Sequence, residues 1–325
     1  MSRIGSYAAR VLLALAGFLV LGIGPAPAQT KITRIIVAFP PGGPVDLVAR
    51  LIAEPMAKSL GHQVIVENRA GGNTFIAAQA VATSPPDGSV VFLSSMSTMV
   101  LNPLLYAKLP YNPDTDFVPI SMVVSNPPVL VVHPSNPAKD AAELAASART
   151  AAEPVAIGSA GIGGTTHISI ELFAQATGAK LLHVPYKGAA PVITDLLGNH
   201  VQGFFGDVPG VISYIKSGKL KALGLLAKQP LSVLPGVKTM EEQGIRGTES
   251  ENWYSLYAPA KTPAEVVAKV QAAVVEALKD EKVHAKLIET GCVIIGSSPE
   301  ELDKVRKSDT ARLGGIIRAR GIKLE

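Results

Sequence analysis

From Ile32 onward, short runs of β-branched and apolar residues alternate with longer stretches whose apolar positions recur every three or four residues. Ile35-Ile36-Val37-Ala38-Phe39 is one such run, and it ends abruptly at Pro40-Pro41-Gly42-Gly43. The stretch 45–60 places Leu47, Leu51 and Ile52 on one helical face and stops at Gly61. Pro55 inside it predicts a kink, because proline cannot donate to the preceding turn. A strand at 63–67, a helix at 74–83 and a strand at 90–94 after the turn Pro86-Asp87-Gly88 continue the pattern. Strand, helix, strand, helix, strand implies a parallel sheet.

The rhythm restarts with strands at 129–132, 155–158, 180–184, 201–205 and 220–226, separated by helices at 138–150, 166–177 and 190–197. This reads as a second α/β lobe. The remainder differs: a strand at 253–257, then an amphipathic helix at 263–279 with Val266, Val270, Val274 and Leu278 at helical spacing. A helix at 281–290, a strand around Cys292 and a last helix at 299–320 follow, returning to cover the first lobe. The expected division is 29–127 plus 253–325 for lobe 1 and 128–252 for lobe 2. Crossings near 126–129 and 249–253 make a hinge, with a cleft suited to a small ligand.

The first residues stand apart. Arg3 and Arg10, an apolar run at 11–23 and the tripeptide Ala26-Pro27-Ala28 read as a secretory signal peptide at 1–28, cleaved after Ala28. The alternative is an N-terminal anchor, against which Pro25 and Pro27 end the helix and small residues mark the cut. Among 325 residues, 47% hydrophobic and 17% charged, no later apolar run reaches the roughly 20 residues of a membrane span. The expected mature chain is a soluble globular protein. The net charge of +4 falls to about +2 without the two leader arginines, and no basic run is present, so nucleic acid is not an expected partner. The single cysteine, Cys292, forbids an intramolecular disulfide. In its apolar strand it reads as a buried thiol rather than a nucleophile or dimer bridge, and no cysteine at the mature N-terminus offers a lipid attachment point.

Two loops carry the candidate chemistry. In the first, Phe39, Pro41, Gly42, Gly43 and Asp46 lie between a strand and a helix start, where glycines let a ligand approach and unpaired N–H groups favour an anion. The segment fails as a phosphate loop, because no Lys-Ser/Thr follows its glycines. A tight turn with Asp46 in the first helical turn is the plain alternative. The second loop, Ser159 and Ala160 through Gly163, Thr165, Thr166 and His167, also ends in a helix. His167 reads as a helix-packing or capping residue more readily than as a base, and no metal ligand set pairs with it. Thr74, Ser94, Tyr186, Lys187 and Asp207 extend the rim; Asp207 either receives a ligand amine or hydroxyl or caps the next helix. No G-x-S-x-G, H-E-x-x-H or C-x-x-C is present, and neither catalysis nor a cofactor is expected.

These residues resemble a known family. Ile35-Ile36-Val37-Ala38-Phe39-Pro40-Pro41-Gly42-Gly43-Pro44-Val45-Asp46, His183-Val184-Pro185-Tyr186-Lys187-Gly188 and Ser217-Gly218-Lys219-Leu220-Lys221-Ala222-Leu223 resemble, in that order, the tripartite tricarboxylate transporter substrate-binding proteins, the Bug (TctC-like) family. The resemblance implies a two-lobed periplasmic binding protein fold, type II-like, with mixed but mostly parallel sheets closing on a small carboxylate. It implies a free monomer that hands a dicarboxylate, hydroxy acid, amino acid or aromatic acid to one large and one small membrane subunit. It also implies that loops 39–46 and 159–167 hold the carboxylate through backbone groups and water, with Tyr186 and Asp207 setting preference. A ligand-presenting sensor for a membrane kinase, and a secreted hydrolase or isomerase using His167, Asp207 and Lys187, are the rival readings. One departure stands out: Asn68-Arg69-Ala70-Gly71-Gly72-Asn73-Thr74-Phe75 displaces the family's glycines and brings in a bulky Phe75.

Overall fold

A computed structural model describes residues 31–248, 250–319 and 321–322. The leader and its cleavage point lie outside these residues. The chain opens with β1 (Ile32–Val37), α1 (Pro44–Leu60), β2 (Gln63–Asn68), α2 (Phe75–Ala82) and β3 (Val90–Ser95). Pro44 begins α1, where a missing N–H is harmless, and Gly61 ends it in the left-handed region at φ 71°, its N–H bonded to the Ala57 carbonyl. Pro55 lies inside this continuous helix. A four-residue helix, α3 (Asn102–Leu105), precedes β4 (Phe117–Asn126).

The second sheet is built from β5 (Pro128–Val132), α4 (Ala141–Thr150), β6 (Val155–Ser159), α5 (Thr165–Thr177), β7 (Leu181–Pro185), α6 (Ala189–Leu197), β8 (Gly203–Asp207), α7 (Val208–Lys216) and β9 (Lys221–Leu225). The chain then returns through β10 (Asn252–Pro259), α8 (Ala264–Lys279), α9 (Glu281–Glu289), β11 (Val293–Ile294) and α10 (Pro299–Ala319). The strand order is β11-β4-β10-β3-β1-β2 in one sheet and β7-β6-β8-β5-β9 in the other. β1 is parallel to β2 and β3, and β6 is parallel to β7 and β8, while β5, β10 and β11 pair antiparallel with their neighbours. The fold is therefore the expected two-lobed α/β arrangement with mixed sheets.

The ten-residue β4 is absent from the sequence reading, and Pro119 is the reason, since proline is normally barred from interior strands. Pro119 sits opposite Tyr257, where a register shift between Leu256 and Tyr257 accommodates it. Helices cover both faces of each sheet. On the first, α1 and α8 bury Ile52, Met56, Val270 and Val274 on one side, and α2 and α10 bury Val81, Leu302 and Leu313 on the other. Each such side chain contributes about 2 kcal/mol of burial. Helix α5 belongs to both lobes: Ile170 and Phe173 enter the second core, Ile168 and Leu172 the first.

The chain passes between lobes at Asn126–Pro128 and ahead of Asn252. Asn126 and Asn252 are strand partners, and Pro128 pairs with Asp207, so the cleft floor and the crossings are one piece of backbone. The Cys292 thiol is buried there and donates to Asn126 Oδ1 at 3.0 Å. Next to it, Gly291 lies at φ 86°, and a Cβ at this position would overlap Val208 Cγ1 at the start of α7. Gly291→Ala is therefore expected to destabilise the protein by about 1–3 kcal/mol, through strain at positive φ and overpacking, as read by urea unfolding.

Candidate ligand-binding cleft

The β1–α1 loop owes its shape to Asp46. Its Oδ2 accepts from the Gly42 N–H and from Arg50 Nε, both at 2.9 Å, and its Oδ1 accepts from Asn68 Nδ2 at 2.9 Å. Asn68 Nδ2 also donates to the Phe39 carbonyl, so both ends of the loop are tied to one buried carboxylate. Burial by itself raises the pKa of Asp46, but the hydrogen bonds from Arg50, Gly42 and Asn68 outweigh it and hold the carboxyl below its ordinary range. Asp46 thus faces away from the cleft and shapes the loop from behind.

The second loop is organised the same way. The Ala160 N–H donates to Thr166 Oγ1 at 2.9 Å and the Gly163 N–H to His167 Nδ1 at 3.0 Å. His167 stacks on His183 with ring centroids 3.7 Å apart, and His183 Nε2 lies 2.6 Å from Ser159 Oγ. Burial, with a smaller contribution from the adjoining His167 ring, pushes His183 down to about 4. Accepting from Gly163 leaves the neutral His167 ring with its proton on Nε2, facing Glu171 Oε1 at 3.7 Å. Tyr186 Oη donates to Asp195 Oδ2 at 2.6 Å.

The third rim segment is strained. Asn73 and Thr74 adopt φ 49° and 77°, a region that costs about 1–3 kcal/mol for a non-glycine residue. Asn102 offsets this: its Nδ2 donates to the Asn73 carbonyl and to Thr74 Oγ1, while Thr98 Oγ1 also donates to Thr74 Oγ1. Phe75, the odd residue of this segment, packs edge-on against Tyr106 and Tyr111, behind the rim.

These segments meet around one cavity of about 670 Å³ between the lobes. Of the residues expected from sequence, Phe39, Pro41, Gly42, Gly43, Thr74, Ala160, Gly163, Thr165, Thr166 and Asp207 line it. Asp46, Ser94, Ser159, His167 and Tyr186 do not line it, and for His167 the contact to Gly163 is the packing or capping role that its place in the sequence favours. Asp46 and His167 hold the glycine loops, Ser159 is bonded to His183, and Tyr186 is turned to Asp195. Ser94 is buried in β3, and alternation along the strand leaves its neighbour Ser95 to reach the wall. Asn102, Asn252 and Tyr254 line the cavity without any signal in the sequence pattern.

Four helices begin at this wall: α1 at Pro44, α5 at Thr165, α6 at Ala189 and α7 just after Asp207. The first intrahelical bonds of α1 and α5 are made by Leu47 and Ile168, so the amides ahead of them have no helical acceptor. Formal charge on the lining is limited to Lys187 and Asp207. Asp207 does not cap α7 with its side chain; its Oδ2 accepts from Asn252 Nδ2 at 2.8 Å. Burial pushes Asp207 up to about 6 against the opposing bond from Asn252. A larger cavity, about 900 Å³, lies between α8 and α10 on the far side of the first lobe. Its cations are committed, Arg306 to Asp114 and Asp303, and Lys307 to Asp303, and the glycine loops do not reach it.

The sequence profile described as "Tripartite tricarboxylate transporter family receptor" matches residues 48–322. Protein BugT of Bordetella pertussis is 33% identical over 321 residues, covering 97% of this chain and 98% of that protein. A UPF0065 protein from the tcbD–tcbE intergenic region of Pseudomonas sp. strain P51 is 35% identical over 283 residues, covering 87% and 84%. Among solved structures, R. palustris Rpa4515 with adipate superposes with TM-score 0.82 at 30% identity, covering 91% of this chain and 99% of that one. MatC from Rhodopseudomonas palustris with bound malate gives 0.77 at 30% identity, covering 90% and 100%.

Two outcomes follow from the loop supports. Asp46→Ala removes a charge-assisted cluster and should lower unfolding stability by about 2 kcal/mol in urea titrations. Because its folded value is depressed, this contribution is present above the ordinary carboxylate value of 3.8 and is lost as pH falls below it. His183 is likewise depressed, from 6.5 to about 4, so the unfolded chain takes up a proton the native state refuses. Melting temperature should fall as pH drops from about 6.5 to about 4, and more steeply for the wild type than for His183→Gln.

Proposed function

Since the chain belongs to the tripartite tricarboxylate transporter receptor family, we propose that it is a periplasmic receptor that captures a small organic carboxylate. In this reading a signal peptide exports it, and a tripartite tricarboxylate-type transporter in the membrane takes the ligand from it. The observation that carries the reading is the convergence of four helix N-termini and two glycine loops on one interlobe cavity. Helix ends supply N–H donors and partial positive charge, so an anion is held there without a dedicated arginine. Adipate and malate in the two R. palustris structures support a carboxylate of similar size.

The binding step follows from the hinge. Closing the lobes brings the α1 loop of the first onto the α5, α6 and α7 ends of the second. Water leaves the cavity, and each N–H to carboxylate bond strengthens in the lower dielectric. Thr74, Thr165 and Thr166 add hydroxyls at the wall. The hydrolase or isomerase reading lacks support: of His167, Asp207 and Lys187, His167 is buried behind its loop, where it accepts from the Gly163 N–H, and only Asp207 and Lys187 line the cavity.

A thermal-shift screen with malate, adipate, other dicarboxylates, hydroxy acids, amino acids and aromatic acids tests the proposal. A true ligand present at 100 times its Kd stabilises by about 2.7 kcal/mol, a shift of several degrees. The expected hit is a carboxylate, with its diamide analogue inactive. Stabilisation by neutral analogues alone would overturn the reading.

A further inference from the structure

At the floor of the cleft, two side chains joined by one hydrogen bond leave two oxygens stranded. Asn252 Nδ2 donates to Asp207 Oδ2 at 2.8 Å, yet Asp207 Oδ1 and Asn252 Oδ1 are both buried and without a donor. A buried polar atom without a partner is costly, and here two acceptors share the same pair of residues. A single proton serves both: placed on Asp207 Oδ1 and donated to Asn252 Oδ1, it completes a ring of two hydrogen bonds between a carboxylic acid and an amide. We propose that Asp207 and Asn252 form such a proton-completed pair, and that the cleft takes up this proton from solvent as it binds its anionic ligand.

The surroundings favour the neutral acid. Asp207 ends β8 in the second lobe, and Asn252 begins β10 on the return to the first, so the pair spans the crossing. From β10, Tyr254 faces Asp207, and from the segment before β11, Cys292 does; burial pushes both upward, so neither supplies positive charge. Asn126, bonded to the Cys292 thiol, and Ser250 are neutral, and Glu251 is bonded to Ser125. Lys187 lines the cavity from the opposite loop but is solvent-exposed. An ionised Asp207 would repel the carboxylate that the cavity is proposed to hold. With the proton bound, the floor is neutral and the helix ends act unopposed. The second step rests on the carboxylate-receptor reading; the acid–amide pair does not.

Burial without a bonded cation lifts Asp207 to about 6, and a nearby carboxylate ligand would raise it further. The sign is fixed: this group's contribution to stability is full below 3.8 and is lost as pH rises through about 6. Infrared difference spectroscopy on the ligand-free wild type over about pH 5 to 8 should show one buried protonated-carboxyl band that fades as pH rises. Asp207→Asn should remove that band, and Asn252→Leu should shift it. Calorimetry with malate or adipate in two buffers of different ionisation enthalpy should show uptake of about 0.5–1 proton per ligand near neutral pH. In Asp207→Asn that uptake should disappear.

A spectrum without the band at the acid end overturns the pair, whatever binds. Malate or adipate binding with no proton uptake overturns the coupling while leaving the receptor reading intact.

Discussion

Parallel strands must all leave a sheet by the same edge, and each crossover helix must begin where its strand ends. That constraint builds the cleft. β1 and β6 deliver their loops to the carboxyl edge of each sheet, and α1 and α5 start there with amides that have no helical partner. The facing lobe adds the ends of α6 and α7. The anion site proposed for this cleft, assembled in this way, relies on backbone, so the side chains around it are free to do something else. They hold the loops still.

This division explains which residues were legible. Phe39 to Gly43 and Ala160 to Thr166 announce themselves, because glycines between an apolar run and a helix start have few other uses. Asp46, Ser159 and His167 flank those segments closely enough to be wall candidates, but sequence proximity does not say which way a side chain turns. Each points backward, to a loop N–H or to a neighbouring ring. Ser94 and Ser95 differ only in strand parity.

What sequence could not show depends on register and long-range contact. β4 hides behind Pro119 because the bulge that tolerates the proline, with Ile120 as its extra residue, is set only by pairing with β10, more than a hundred residues away. Asn252 is an unremarked polar residue until the pairing of β4 with β10 and of β5 with β8 sets it beside Asp207. Asn102 gains its role from two residues in positive φ that no local pattern reveals. The residues least visible in the sequence are those at the lobe crossing, where two chain segments meet once.

Cys292 has a practical consequence. It is the only cysteine of the chain, it is buried beside Asn126, and burial pushes its thiol up to about 11. Maleimides and iodoacetamides are attacked by thiolates and hardly at all by thiols, so the native protein is close to silent toward them at neutral pH. One new cysteine on the exposed rim of either lobe would then be the sole labelling point, without first deleting the native one. A dye placed there would report opening and closing directly, and the protein comes ready-made as the scaffold of an optical sensor.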